Sequence, residues 1–85
     1  MRAVDDSSQM YAAVLRTLQD WKQLPESDVS RMLRGYYLTT ADFREVEDQG
    51  YITMTFIGDE YVLTTTVLGR LWLERYESEE QKHAI

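Results

Sequence analysis

The spacing of hydrophobic residues changes along the chain from helical to strand-like and back. Tyr11, Val14, Leu15, Leu18 and Trp21 recur every three or four positions, which predicts a helix over residues 8–22. The acidic and hydroxyl side chains of residues 5–8 are suited to cap its N-terminus. The first predicted element is therefore an amphipathic helix.

Two further helices follow Pro25. Val29, Met32 and Leu33 have helical spacing and stop before Gly35, which predicts a short helix over 27–34. A third helix, over 40–49, starts after Thr39, which has Asp42 three residues on, the spacing of a capping box. Phe43 and Val46 form its buried stripe, and Gly50 supplies the left-handed residue that ends it.

From Tyr51 the hydrophobic period becomes two, which predicts strands over 51–57 and 60–64. Gly58 and Asp59 between them suit a two-residue hairpin turn. That turn sets Ile57 opposite Glu60, Phe56 opposite Tyr61, Thr55 opposite Val62 and Met54 opposite Leu63.

A last helix is predicted over 66–80. One of Thr64, Thr65 and Thr66 is expected to cap it. Its expected inner stripe consists of Val67, Leu68, Leu71, Trp72 and Tyr76. The whole pattern predicts one α+β domain over residues 1–85, with three helices, a two-stranded hairpin and a closing helix.

Composition limits the function. The 85 residues include no cysteine, so a disulfide scaffold and a thiolate metal site are excluded and a reducing cytoplasm is the expected location. Residues 1–6 lack the apolar run of a signal peptide, and the sequence has no run of roughly 18 apolar residues, so no membrane contact is expected. A net charge of −6 opposes binding to nucleic acid and favours a basic partner.

The order of elements resembles the winged-helix family of small transcription regulators, in particular the multiple-antibiotic-resistance and phenolic-acid-repressor groups. The resemblance rests on Gly50-Tyr51-Ile52, which matches the junction from helix to wing, and on Tyr61-Val62-Leu63-Thr64 with Gly69-Arg70, which matches the exit from the wing. Two extra residues separate the threonine from the glycine, unless Thr66 is the counterpart. The resemblance implies a dimeric protein that reads double-stranded DNA with its third helix and wing.

The residues that this resemblance places at a DNA-facing surface are of both signs. On the third helix and its cap they are Thr39, Thr40, Ala41, Arg44, Glu45 and Asp48, and on the wing they are Gly58, Asp59 and Glu60. Arg31 and Arg34 of the second helix are the other cations expected near this surface. Family wings usually carry arginine or lysine, whereas this wing carries two carboxylates, which repel phosphate.

Two interpretations remain open. The first is a DNA-binding regulator in which Arg31, Arg34 and Arg44 contact phosphates or a guanine edge. The second is an interaction module whose acidic third helix binds a basic surface of a nucleic-acid-binding protein, with Asp42, Glu45 and Asp48 imitating a row of phosphates. The alternative for the arginines is ordinary surface pairing, Arg31 with Asp28 and Arg44 with Asp48.

The sequence predicts no catalytic activity, no cofactor and no bound metal ion. The sequence has no cysteine, a single histidine at position 83 and no glycine-rich phosphate loop, so no nucleophile has a plausible base. Carboxylates three residues apart on a straight helix lack the converging geometry that calcium or magnesium requires.

A homodimer through the first and last helices is also expected. These helices carry more apolar residues than a small core needs, and Leu73 falls outside the predicted inner stripe. The candidate interface residues are Trp21, Leu68, Trp72 and Leu73.

Overall fold

The computed structural model describes residues 3–19, 21–33 and 35–83, with side chains for 7–19, 21–33 and 35–80. This part of the chain is α+β, with four helices and one three-stranded antiparallel sheet. The elements are, in order, α1 (Ala3–Leu18), β1 (Leu24–Pro25), α2 (Glu26–Met32), α3 (Thr40–Asp48), β2 (Ile52–Ile57), β3 (Glu60–Thr65) and α4 (Val67–His83).

The sheet has the strand order β1-β3-β2. The predicted hairpin register is confirmed, from Ile57 opposite Glu60 to Met54 opposite Leu63, and Gly58 has a positive φ of 67° in the turn. The expectation of only two strands is wrong, because Leu24 and Pro25 pair with Leu63 and Val62. A strand of two residues is too short to show a hydrophobic period in the sequence. Its proline is tolerated because a strand at the edge of a sheet does not use every backbone N–H in hydrogen bonds between strands.

The ends of α3 are as predicted. Thr39 N donates to Asp42 Oδ2 at 2.8 Å, Asp42 N donates to Thr39 Oγ1, and Gly50 has a φ of 86°. This capping box satisfies N–H groups that have no partner within the helix. The start and direction of α3 are therefore determined by its local sequence.

The first helix differs most from its predicted range. It begins at Ala3, so Ser7 and Ser8 lie within the helix and do not cap it. The helix dipole favours acidic residues within the first turns of a helix, so the polar residues 5–8 do not mark where α1 begins. At the other end, Trp21 lies beyond the helix in a turn closed by its N–H to the carbonyl of Leu18.

The core lies between α1, the sheet and the inner faces of the other helices. Its fully buried large side chains are Val14, Leu15, Leu18, Val29, Phe43, Val46, Ile52 and Leu63. The expected inner stripe of α4 is partly wrong, because Val67, Leu68 and Leu71 are exposed whereas Gly69 and Leu73 are buried. Gly69 turns this face inward because its backbone packs directly against Tyr51.

Candidate interaction surface

The third helix and the hairpin are joined by two side chains of α3. Glu47 Oε2 accepts a hydrogen bond from the backbone N–H of Met54 at 3.1 Å. Arg44 donates to the hydroxyl of Tyr61, and its guanidinium carbon lies 4.8 Å from the centroid of that ring. Tyr61 in turn packs edge-to-face on Phe56, with ring centroids 5.0 Å apart. The three exposed or partly exposed groups Arg44, Tyr61 and Phe56, with Asp48 one turn beyond Arg44, are called the α3–hairpin surface below.

The positive charge of Arg44 is balanced within the chain. Arg44 Nη1 lies 3.4 Å from Glu47 Oε1, so its partner is Glu47 and not Asp48. Glu47 faces the hairpin, as its bond to Met54 requires, and that orientation brings it alongside Arg44. The arginine expected to contact a phosphate is therefore engaged by a carboxylate and an aromatic ring.

Arg31 is also paired. Its guanidinium lies 2.8 Å from Asp28 Oδ1, as the spacing predicts, and its side chain is 75% exposed. An exposed pair of this kind contributes little stability but lowers the local positive charge. Arg34, the third cation expected on this side, lies outside the described residues.

Three other predicted surface residues hold the elements of the fold together. Glu60 Oε1 accepts hydrogen bonds from Ser27 N and Oγ, the latter at 2.9 Å, and so ties the hairpin to the start of α2. Thr40 Oγ1 donates to Glu26 Oε2 at 2.7 Å and ties α3 to the same place. Thr39 is occupied by the capping box.

Glu45 contacts the first helix. The hydroxyl of Tyr11 donates to Glu45 Oε2 at 2.6 Å. Burial, together with this hydrogen bond to a carboxylate, raises the pKa of Tyr11 to about 12. Of the acidic residues that the sequence proposed for mimicry, Asp42 and Glu45 thus have structural partners and Asp48 is exposed. Asp59, at the tip of the hairpin, is also exposed.

Phe56 and Tyr61 are the residues of this surface that the sequence did not identify. Phe56 lies opposite Tyr61, as the hairpin register predicts, and it is 61% exposed because β2 continues beyond the helices that cover Ile52. Its position two residues before the turn is the signal that could have identified it. The exposed tyrosine Tyr37 lies in the link between α2 and α3 and was likewise not selected.

The four candidate dimer residues are not one patch. Trp21 and Leu68 are about half exposed, whereas Leu73 is buried, so the prediction that Leu73 lies outside the inner face of the last helix is wrong. Trp72 stacks between Tyr51 and Tyr76, with centroids 5.1 Å away in each case. The homodimer itself stays a prediction.

The described residues contain no group of three or more histidine, aspartate or glutamate side chains placed to hold a metal ion. Within the same ranges, every helix is too short or too polar to cross a bilayer. Three comparisons with known proteins give no relative: no family model, no curated protein and no solved structure matches this chain.

Proposed function

We propose that this chain is a winged-helix-like protein-interaction module that binds a basic surface of another protein through its α3–hairpin surface. The element order α1-β1-α2-α3-β2-β3-α4 supports the winged-helix part of the proposal, since a short strand precedes α2 and pairs with the hairpin. The hydrophobic pattern of the sequence did not predict that strand.

The pairing of Arg44 with Glu47 carries the proposal. Binding to a duplex derives most of its affinity from cations that release counterions from phosphates. At the centre of α3 the cation already has a carboxylate within 3.4 Å, and Asp48 adds a negative charge on the same face. Contact with phosphate would compete with this pair and would bring Asp48 close to the DNA backbone.

The uncharged part of the surface also favours a protein partner. Aromatic residues and arginine are enriched at protein interfaces and among the residues that dominate their affinity. Tyr61 contacts both Phe56 and Arg44, so these side chains are positioned before any partner arrives. Such preorganisation lowers the entropic cost of binding.

A DNA-binding regulator is the alternative, favoured by the order of elements, in which α3 follows a helix and a turn and precedes the hairpin. The two functions respond in opposite directions to Asp48→Lys. Against a basic protein surface the substitution removes an attraction and adds a repulsion. Against DNA it adds a cation and strengthens binding.

The experiment compares wild type with Asp48→Lys and with Glu79→Lys, a matched control that makes the same change of charge on the exposed side of α4. Immobilised protein is used to capture partners from a lysate of the source cells, and each variant is titrated against a random-sequence duplex at low salt. We expect a basic protein to be retained by wild type and Glu79→Lys and lost with Asp48→Lys, with no duplex binding by wild type. Micromolar duplex binding that Asp48→Lys strengthens would overturn the proposal.

A further inference from the structure

The two edges of the sheet differ in how they are protected against pairing with another chain. β1 forms one edge, is only two residues long and contains Pro25, and both shortness and proline oppose such pairing. β2 forms the other edge and has six residues, Ile-Thr-Met-Thr-Phe-Ile, without a charge, a glycine or a proline. This composition is typical of strands that pair with copies of themselves. Protection of the β2 edge must therefore come from elsewhere in the fold.

The backbone groups of β2 point alternately to β3 and to the outer edge. Ile57 and Glu60 flank the two-residue turn, so they hydrogen-bond to each other across the hairpin, and every second residue of β2 before Ile57 does the same with β3. The N–H and carbonyl groups of Met54 and Phe56 consequently point away from β3. Within the described part of the chain, the sheet has no strand on that side.

Glu47 occupies one of these two outward N–H groups. Its Oε2 accepts from Met54 N at 3.1 Å, so the donor in the middle of β2 is not available to another strand. Its Oε1 lies 3.4 Å from Arg44 Nη1, and this ion pair holds the carboxylate beside the edge. The outward N–H of Phe56 has no acceptor among the described residues, and the Phe56 side chain is 61% exposed. The edge is thus closed at Met54 and open at Phe56.

A second copy of this chain is the partner that the uncharged edge fits. Two β2 strands related by a two-fold axis run antiparallel, and with Thr55 on the axis Met54 of each copy lies opposite Phe56 of the other. This register requires Met54 N–H as a donor to the other copy. We propose that the outer edge of β2 pairs with β2 of a second copy when Met54 N–H is free, and that Glu47 prevents this pairing by accepting from that N–H.

Two substitutions at position 47 separate the hydrogen bond from the charge. Glu47→Gln and Glu47→Ala both remove the negative charge, but only glutamine keeps an oxygen that can accept from Met54 N–H. Sedimentation is measured in about 0.5 M sodium chloride, which screens the net charge of −6 on each copy. We expect the average mass of Glu47→Ala to rise with concentration to about twice that of wild type, and that of Glu47→Gln to match wild type. Equal masses of the two variants would overturn the proposal.

Phe56→Pro, added to Glu47→Ala, tests which surface associates. Proline removes the outward N–H of Phe56 and leaves the hydrogen bonds between β2 and β3 in place, so it is tolerated at this edge. The double variant is expected to return to the average mass of wild type. A mass as high as that of Glu47→Ala alone would place the association on another surface and overturn the proposal.

Amide hydrogen exchange of the wild-type chain tests the protection of the edge without any variant. Met54 N–H and Phe56 N–H both face outward, but Met54 N–H is bonded to Glu47. The Met54 amide is therefore expected to exchange about tenfold more slowly than the Phe56 amide. Equal rates would overturn the proposal even where Glu47→Ala fails to fold. None of these measurements involves a basic partner, so they are independent of the proposed function.

Discussion

Gly69 packs against the backbone carbonyl of Tyr51 with no room for a side chain. A Cβ at position 69 would lie 2.9 Å from the carbonyl carbon of Tyr51 and closer still to its oxygen. The same oxygen accepts a hydrogen bond from Thr66 N at 3.0 Å. This contact joins the start of α4 to the start of β2, and it determines which face of α4 is buried.

Gly69→Ala is expected to destabilise the protein by roughly 2–4 kcal/mol, because backbone must move to admit the methyl group. The sign of this change in stability is informative, because alanine in place of glycine within a helix ordinarily stabilises a protein by about 1 kcal/mol. Urea denaturation measures the change, with Ser78→Ala as an exposed control on the same helix. A Gly69→Ala variant as stable as wild type would contradict the close contact.

Thr66 joins the same two segments through its hydroxyl. Oγ1 donates to the carbonyl of Gly50 at 2.6 Å and accepts from Gly69 N at 3.0 Å, so it caps α4 and satisfies the end of α3. Thr66→Ala is expected to cost about 1–2 kcal/mol, and Thr66→Ser to retain most of the stability. Thermal unfolding of the two variants checks this prediction. Equal losses of stability in both variants would mean that the Thr66 hydroxyl does not provide the stabilisation.

These contacts show what the sequence could predict. Elements with local signals were predicted closely: the capping box of α3, its glycine stop and the hairpin register each depend on neighbouring residues. The buried face of α4 was not predicted correctly, because it depends on Gly69, and a glycine does not contribute to a hydrophobic pattern. The strand β1 was missed for a related reason, since its pairing with Leu63 is made across the fold.

The candidate surface was predicted less well than the fold. Charge and spacing selected Arg44 and Asp48, but a sequence does not reveal that Arg44 is taken up by Glu47 and Tyr61. Glu45 and Glu60 were selected for a partner, and the structure gives them partners on α1 and α2. Such contacts depend on how the elements pack, which side-chain type alone does not determine.

The pH dependence of stability is expected to show the Tyr11–Glu45 contact. The pKa of Tyr11 is about 12 in the folded chain, above its ordinary value of 10.0, so folding favours the protonated phenol. The stabilisation is complete below pH 10 and is lost as the pH rises through 12. Tyr11→Phe has no phenol to ionise, so its stability should fall less between pH 10 and 12.

Urea denaturation of wild type and Tyr11→Phe at a series of pH values measures this difference. The pKa of Tyr76 is also raised, mainly by burial, but both proteins contain Tyr76. Its contribution therefore cancels in the comparison. Parallel stability curves above pH 10 would show that Tyr11 does not ionise with a raised pKa.

Phe56 is expected to matter for binding and little for stability. Because its ring is 61% exposed, Phe56→Ser should change the free energy of unfolding by only about 0.5 kcal/mol while it removes partner capture. Phe43→Ala, at a fully buried ring on α3, is expected to cost about 3–5 kcal/mol. A Phe56→Ser variant that unfolds as readily as Phe43→Ala would place Phe56 in the core.

Site-specific photo-crosslinking tests the proposed function most directly. A benzophenone amino acid is placed at position 56 on the hairpin and, as a control, at the exposed position 78 on α4, and each protein is irradiated in the source cells. The expected result is a covalent adduct with a basic protein from position 56 that position 78 does not form. A nucleic-acid adduct at position 56, or equal adducts from both positions, would contradict binding of a protein through the α3–hairpin surface.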